Sequence, residues 1–247
     1  SQIEALLKKH SPVLVHTVTF IPSFGQVCLK MGIPHVATLY AVQDDFAWQG
    51  DAPGFVHCSL VQSDCLRYAK RWGELLQTPY VCSRDVAPES TFKLGQRKAF
   101  QNYEIGRDNA QIRRLKLVVT GTFQARKQQL ETILAAGRLK EEGYKFQLDF
   151  YGYTHFFPEY LQQCQMAIQS RGLQDVVAIH DFSEAIEQIF GDADILLSLS
   201  TYESFPGSIK DAMAAGVFVV ATPVGGVAEL RSEERRVGKE CRSRWSP

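Results

Sequence analysis

The feature that most constrains the fold is a series of five short apolar segments in the second half of the chain. Each is a continuous apolar run rather than an alternating one, which is typical of strands covered on both faces. They occupy residues 115–120, 146–151, 176–180, 195–199 and 217–221. Four stretches with helical periodicity separate them, over residues 128–142, 160–171, 184–189 and 208–215. This alternation predicts right-handed crossovers and a doubly wound parallel sheet, an α/β fold.

The first part of the chain shows a shorter version of the same alternation. Helices are predicted at residues 3–10, 24–31 and 64–76, and strands at residues 13–20, 35–40 and 55–61. Residues 85–112 are polar and lack strong periodicity, so we interpret them as an interdomain connection. The expected organisation is a partial Rossmann-like domain over residues 1–84 and a second Rossmann-like domain over residues 113–230.

The final segment, residues 231–247, differs from everything before it. It reads RSEERRVGKECRSRWSP, has no apolar periodicity and closely resembles the translation of a sequencing-library adapter, so we expect this tail to be foreign to the protein. It carries six basic and three acidic residues, and leaving it out changes the formal net charge from 0 to −3. Because the only dense basic cluster lies in this tail, we predict no nucleic-acid partner.

The composition is that of an ordinary globular protein, with 45% apolar and 22% charged residues. No apolar run approaches the roughly 20 residues that span a bilayer, and no basic-then-apolar leader opens the sequence. The six cysteines show neither CxxC nor Cys/His metal spacing, which favours reduced thiols and a cytoplasmic location. Arg67, Lys70 and Arg71 beside Trp72 leave a peripheral contact with the inner membrane face open. The oligomeric state is not indicated.

The candidate site lies where the predicted strands of the second sheet end. In an open parallel sheet, ligands bind outside the carboxyl ends of the strands. Glycine and polar residues concentrate there in four segments, at residues 121–128, 152–155, 201–208 and 222–226. These segments are therefore the candidate ligand loops.

The residue types in these loops suit an anionic ligand that carries vicinal hydroxyls. The Lys127 ammonium, with Arg126 as an optional second cation, would compensate a diphosphate. The backbone N–H groups where a helix begins at Gly207-Ser208 would do the same. Glu203 and Asp211 could each accept hydrogen bonds from vicinal sugar hydroxyls.

The run ESFPGSIKDAMAAGVFVVATPVGGVAEL, residues 203–230, closely resembles the donor-site segment of family 4 of the retaining glycosyltransferases. The similarity extends back through residues 121–127 and the Phe150-Tyr151-Gly152 strand end, and more faintly through SPVLVHTVTF and MGIPHVATLY. The resemblance implies a GT-B fold, with two Rossmann-like domains and the active site in the cleft between them. It also implies a fragment that lacks an N-terminal segment and a C-terminal helix.

By the same resemblance, the reaction moves a sugar from a nucleoside-diphosphate sugar to a saccharide or lipid-linked acceptor, with retention of the anomeric configuration. Such transfers serve polysaccharide, glycolipid or other glycoconjugate synthesis. Lys127 would contact the diphosphate, Glu203 the donor sugar and Asp211 the ribose, with Glu203 and Lys127 as the catalytic residues. The implied substrate-binding set is Gly121, Thr122, Arg126, Lys127, Glu203, Ser204, Phe205, Pro206, Gly207, Ser208 and Asp211.

The sequence departs from the family pattern at three positions. Asp211 stands where the family usually has a second Glu, Thr122 where an Arg often follows the glycine, and Tyr40 where a His commonly ends a first-domain strand. His16 lies in the middle of a predicted strand, and we interpret it as a satisfied core histidine.

One motif suggests a metal site but is misplaced. Asp192-Ala193-Asp194 looks like the metal-binding DxD of the other major glycosyltransferase fold. It precedes the predicted strand at 195–199 and therefore lies at the amino end of the sheet. We interpret it as a capping or turn cluster and predict no metal and no cofactor, since the family neutralises the departing diphosphate with protein cations and a helix dipole.

Other functions remain open to different degrees. A dinucleotide-binding oxidoreductase is disfavoured because residues 121–128 lack GxGxxG and no acidic residue ends the second strand. A sugar-nucleotide epimerase on the GT-B fold would bind the same donor. A non-catalytic nucleotide-sugar-binding paralogue would also fit the changes at Thr122, Tyr40 and Asp211.

Overall fold

A computed structural model describes residues 1–18, 22–39, 58–83, 87–96 and 114–230. The chain divides into two compact units. The first comprises Ser1–Asp85, Glu203–Phe205 and Ala228–Pro247. The second comprises Val86–Tyr202 and Pro206–Val227. Residues 231–247 lie outside the described residues.

The first unit is a four-stranded parallel sheet with helices between its strands. The sheet order is β1-β2-β3-β4, so each strand pairs with the next one along the chain. The elements are α1 Gln2–His10, β1 Val15–Val18, α2 Pro22–Met31, β2 His35–Thr38, β3 Leu60–Ser63, α3 Leu66–Leu76 and β4 Tyr80–Cys82.

The three predicted helices and the predicted strands at 13–20 and 35–40 are confirmed in the described parts of the first unit. The predicted strand at 55–61 is confirmed only at its end, because residues 55–57 lie outside the described residues. β4 was not predicted, since a run of three apolar residues is too short to show strand periodicity. It forms because its backbone pairs with β3.

The histidine interpretation for the first sheet was wrong. His16 is exposed, although its Nε2 lies 2.6 Å from Thr38 Oγ1. The core histidine is His35, which is 2% exposed and whose Nε2 lies 2.9 Å from Thr17 Oγ1. Along β1, the alternation of the strand buries Val15 and Thr17 and turns His16 outward.

Helix α3 carries the basic residues considered for membrane contact. Its apolar face buries Tyr68, Ala69, Trp72 and Gly73, while Arg67, Lys70 and Arg71 are exposed. The Trp72 ring therefore belongs to the core. In the part of the chain that the structure describes, no helix combines the length and the apolar character needed to cross a bilayer.

The second unit is a five-stranded parallel sheet with the order β7-β6-β5-β8-β9, which confirms the doubly wound arrangement. The chain builds outward from β5 through β6 to β7, then returns to the other side of β5 for β8 and β9. The elements are α4 (residues 89–96), β5 Leu115–Thr120, a 3₁₀ turn Ala125–Lys127, α5 Gln129–Glu141, β6 Phe146–Tyr151, α6 Pro158–Ser170, β7 Val177–His180, α7 Ile186–Phe190, β8 Ile195–Ser198, α8 Gly207–Ala214 and β9 Phe218–Ala221.

Helix α4 lies within the segment that the sequence analysis interpreted as an interdomain connection. It is short and mostly polar, which conceals its periodicity, but Thr91 and Leu94 are buried. Gly95 allows a close approach to the end of α8, because a Cβ at Gly95 would lie 2.3 Å from the Ala214 carbonyl oxygen. At least this part of the connection therefore packs as an element of the second unit.

The main core of the second unit lies on one face of its sheet, against α5 and α6. Along β6, Phe146, Leu148 and Phe150 are at most 2% exposed, whereas the residues between them are half-buried. Phe150 meets Phe123 with ring centroids 5.9 Å apart. Strand alternation thus separates an apolar face from a polar one.

Two glycines end helices as the sequence analysis expected. Gly143 follows α5 with φ 85°, and Gly216 follows α8 with φ 69°. The next residues close the helix ends, since Tyr144 N–H donates to the Leu139 carbonyl and Val217 N–H to the Ala212 carbonyl. These positive φ values favour glycine.

The described cysteines are all free thiols, and four of the five are buried. Burial raises the pKa of Cys65 and of Cys164 to about 12, which keeps both thiols protonated at neutral pH.

Candidate active site

A pocket of about 370 Å³ lies at the carboxyl edge of the second sheet, within the second unit. We call it the edge pocket. It lies beside β5, where the strand order reverses, the position at which doubly wound sheets bind ligands. Six of the residues predicted to bind substrate line it: Gly121, Thr122, Lys127, Gly207, Ser208 and Asp211.

The loop after β5 places Lys127 beside Gly121. Gly121 has φ 132°, and a Cβ there would lie 3.1 Å from Lys127 Cε and 3.4 Å from Lys127 Nζ. The lysine side chain therefore folds over the glycine. A second glycine permits this packing, because a Cβ at Gly152 would lie only 2.0 Å from the Gly121 carbonyl oxygen.

Gln129 binds the backbone of this loop, and the sequence analysis did not identify this residue. Its fully buried side chain donates from Nε2 to the Thr122 carbonyl at 2.9 Å, with a longer contact to the Gly121 carbonyl at 3.4 Å. A glutamine in the first turn of a helix is usually exposed, so the sequence carries no signal for this role.

Helix α8 presents its amino end to the edge pocket. Pro206 is the N-cap and supplies no side-chain cap, and the helical bonds to its carbonyl start from Ile209 and Lys210. The N–H groups of Gly207 and Ser208 come before those bonds, at the positive end of the helix dipole. A Cβ at Gly207 would meet no described atom within 4 Å, so a ligand can approach this backbone closely.

Asp211 lies one turn further along α8 and also lines the edge pocket. Burial raises the pKa of its carboxyl, while neighbouring Lys210 acts in the opposite direction. The desolvated carboxylate is consequently a group that gains from hydrogen-bond donors brought by a ligand.

The structure uses Arg126 differently from the predicted phosphate contact. One guanidinium nitrogen, Nη1, donates to the Tyr202 carbonyl at 2.9 Å, and the Thr201 N–H donates to the Arg126 carbonyl at 2.9 Å. Arg126 therefore joins the loop after β5 to the loop after β8. It is not among the described residues that line the edge pocket.

Residues 203–205 belong to the first unit. The Glu203 carbonyl accepts a hydrogen bond from the Tyr68 hydroxyl at 3.3 Å, and Ser204 Oγ donates to Asp64 Oδ1 at 2.6 Å. Phe205 packs against a cluster of the first unit that includes Trp72. These three residues and Pro206 are not among the described residues that line the edge pocket.

Comparison with known proteins agrees with this geometry. The family "Glycosyl transferases group 1" matches residues 105–237, which is just over half of the chain. The chain belongs to this family.

Solved structures show the same fold. A glycosyltransferase from Rickettsia africae superposes with a TM-score of 0.68 at 19% identity, over 92% of this chain and 62% of its own. HepE from Anabaena, in complex with UDP and glucose, superposes with a TM-score of 0.67 at 16% identity, over 92% of this chain and 64% of its own. A UDP-forming trehalose-phosphate synthase from Burkholderia xenovorans superposes with a TM-score of 0.70 at 10% identity, over 92% of this chain and 64% of its own.

These similarities confirm the GT-B type of fold, with Rossmann-like α/β units. The chain spans less than two thirds of the length of the structures it matches. Among the curated proteins, none matches the chain.

The edge pocket of this group 1 glycosyltransferase also contains residues outside the predicted substrate-binding set. Tyr153 and Phe182 stack with ring centroids 4.3 Å apart, and Ser183 and Glu184 follow on the same wall. These residues follow the ends of β6 and β7. Phe182, Ser183 and Glu184 follow the carboxyl end of β7, which is where a parallel sheet binds ligands, so this rule is the sequence signal for them.

The remaining departures from the family pattern fall in different places. Thr122 lines the edge pocket. Among the described residues that line this pocket, Lys127 is the one cationic side chain. Tyr40 lies outside the described residues. No group of three or more His, Cys, Asp or Glu side chains suited to a metal occurs within the described ranges.

The Asp192-Ala193-Asp194 motif lies at the amino end of β8, as predicted. Asp194 Oδ2 accepts the Lys116 N–H at 2.8 Å, and Asp192 forms an ion pair with the Lys116 ammonium. Both carboxylates thus serve the start of the sheet, at the end opposite the edge pocket.

Proposed function

We propose that the chain is the donor-binding half, with part of the acceptor half, of a retaining family 4 glycosyltransferase. It would move a sugar from a nucleoside-diphosphate sugar to a saccharide or lipid-linked acceptor. The observation that carries this proposal is the edge pocket, which combines a lysine, an uncapped helix start and a half-buried carboxylate at the reversal point of a doubly wound sheet.

The diphosphate would lie between Lys127 and the start of α8. The Lys127 ammonium supplies a full positive charge, and the Gly207 and Ser208 N–H groups supply oriented donors. Both remain in place as negative charge develops on the departing diphosphate, so they would stabilise the transition state without a metal ion. Gly207 leaves the space that this contact requires.

The two carboxylates would bind hydroxyl groups. We assign Asp211 to the ribose because it lines the edge pocket one turn beyond the proposed diphosphate contact. We assign Glu203 to the donor sugar from its place directly before that helix in the sequence, and from its buried position. A carboxylate near an oxocarbenium-like sugar stabilises the positive charge that retention chemistry develops.

Binding experiments test the assignment of the pocket. Lys127→Ala and Asp211→Ala should each weaken nucleotide-sugar binding by about 10- to 100-fold, because each removes a charged hydrogen-bonding partner. Lys140→Ala is the matched control. Lys140 lies on α5 and pairs with Asp175, and neither residue lines the edge pocket, so this variant should leave the dissociation constant unchanged. Isothermal titration against UDP-, GDP- and ADP-sugars measures all three. Parent-like affinity in both test variants would defeat the assignment.

Product analysis tests the reaction class. Incubation of a nucleotide sugar with and without an added saccharide acceptor should give acceptor-dependent release of nucleoside diphosphate. A free epimerised sugar nucleotide would instead establish the epimerase alternative. Binding without turnover under either condition, measured on the full-length protein, would establish the non-catalytic alternative.

A further inference from the structure

The edge pocket contains a buried hydroxyl that the described protein leaves without a partner. Thr120 Oγ1 is inaccessible to solvent and has no hydrogen-bond partner among the described residues. Thr120 is the last residue of β5 and lines the edge pocket directly before Gly121. A buried hydroxyl without a partner costs free energy, so its presence at a ligand pocket calls for an explanation.

Polar groups on the elements around Thr120 already have other partners. Tyr151 is its register partner on β6, and its hydroxyl points to the Gln188 carbonyl at 3.5 Å. The Tyr151 ring stacks on His180 at 4.5 Å, and His180 Nε2 lies 2.7 Å from Asp149 Oδ1. The Gln129 amide nitrogen donates to the loop carbonyls. These contacts leave the Thr120 hydroxyl without a protein partner among the described residues.

A second hydroxyl of the same kind provides a comparison. Thr91 Oγ1 in α4 is also buried without a partner among the described residues, and Thr91 is not one of the residues that line the edge pocket. The two threonines share residue type, burial of the hydroxyl and lack of a partner. They differ in access to the pocket, which makes Thr91 a matched control.

We propose that Thr120 is a further donor-binding residue, whose side chain rotates when the nucleoside diphosphate binds, so that its hydroxyl donates a hydrogen bond to a diphosphate oxygen. This inference rests on the proposed function. Thr120 adjoins Gly121, over which Lys127 folds, so it lies on the cationic side of the pocket. Diphosphate oxygens only accept hydrogen bonds, and the threonine hydroxyl can supply a donor.

The experiment compares Thr120→Val, Thr120→Ser and Thr91→Val with the parent in the full chain. UDP, GDP and ADP are titrated into the parent, and the tightest of them is used for the variants. Thr120→Val should raise the dissociation constant by about 3- to 10-fold, while Thr120→Ser stays within about 2-fold of the parent. Thr91→Val should bind as the parent does.

Thermal unfolding without nucleotide supplies an independent readout. Valine removes the unsatisfied hydroxyl at nearly constant shape, so both valine variants should melt about 2–4 °C above the parent. The proposal therefore expects Thr120→Val to gain stability and lose affinity together. If Thr120 were merely structural, Thr120→Val would lose both stability and affinity or would lose neither.

Parent-like affinity in Thr120→Val would overturn this inference alone. If valine perturbs the fold, Thr120→Ala and Thr120→Ser provide the same comparison, because only serine keeps the hydroxyl. Equal affinity of these two variants would likewise overturn it. A parent chain that binds none of the three nucleotides would overturn the proposed function, and this inference with it.

Discussion

The two faces of strand β6 have opposite characters although one strand builds both. On β6, Phe146, Leu148 and Phe150 enter the apolar core with α5 and α6. On the opposite face, Asp149 and Tyr151 are half-buried and face groups of other strands, as the contacts with His180 show. One face is filled by side chains of similar chemistry, and the other holds polar groups near the pocket.

The difference shows how a Rossmann-like unit separates stability from chemistry. Burial of large apolar side chains dominates the free energy of folding, and the core face of β6 contributes three such side chains. The polar face can then carry groups that do not favour folding, such as the Thr120 hydroxyl and the Asp211 carboxyl. Substitutions on the two faces should therefore affect different measurements.

The largest effect is expected for Phe150→Ala on the core face. Removal of a ring that is 1% exposed should lower the free energy of unfolding by about 3–5 kcal/mol, through lost burial and the cavity it leaves. Gln147→Ala on the polar face of the same strand should cost less than about 1 kcal/mol. Chemical denaturation measures both. Equal losses would contradict the separation of the two faces.

An intermediate effect is expected for Gly152→Ala at the edge of the sheet. The new Cβ would lie 2.0 Å from the Gly121 carbonyl oxygen, and neither backbone segment can yield without moving the loop that carries Lys127. We expect a loss of about 1–3 kcal/mol in the free energy of unfolding, together with weaker nucleotide binding. Denaturation and titration on one preparation measure both.

Gly207→Ala is the counterpart to this variant. A Cβ at Gly207 would meet no described atom within 4 Å, so the free energy of unfolding should change by less than about 0.5 kcal/mol. Nucleotide affinity should still fall, because the methyl group enters the proposed diphosphate site. Parent-like affinity here would argue against a ligand at the start of α8.

The smallest effect on stability is expected for Asp211→Asn. Since burial raises the folded-state pKa of Asp211 above 3.8, its usual value, the carboxyl favours folding below pH 3.8 and loses this contribution as pH rises through the folded pKa. The variant should match the parent near pH 3 and be the more stable of the two at pH 7. Nucleotide affinity should fall at pH 7. Denaturation across this pH range tests the sign, and a less stable variant at pH 7 would contradict it.

Much of the fold was predictable because apolar periodicity is a local property. The five strands of the second sheet and their four helices were each located within about two residues of their observed ends. β4 and α4 were missed for the same reason. A run of three residues and a mostly polar helix carry little periodicity, and each forms because a neighbouring element completes it.

The candidate site was predictable only in part. Loops at the carboxyl edge were found because parallel sheets bind ligands there, and six of the predicted residues line one pocket. The position of Arg126 on the Tyr202 carbonyl and the buried role of Gln129 were not predictable. The Arg126 contact depends on a segment that is distant in the sequence. The role of Gln129 depends on which side of the turn before α5 is buried.

By itself, the sequence determined the α/β class, the parallel second sheet and the similarity to GT-B glycosyltransferases, because these follow from local periodicity and from a long run of matching residues. Only the tertiary structure decided which loop residues share a pocket, that His35 rather than His16 is buried, and that no described residue bonds to the Thr120 hydroxyl. The physical reason is that burial and hydrogen-bond satisfaction are properties of a position in space. A strand pattern limits them, and packing against other elements settles them.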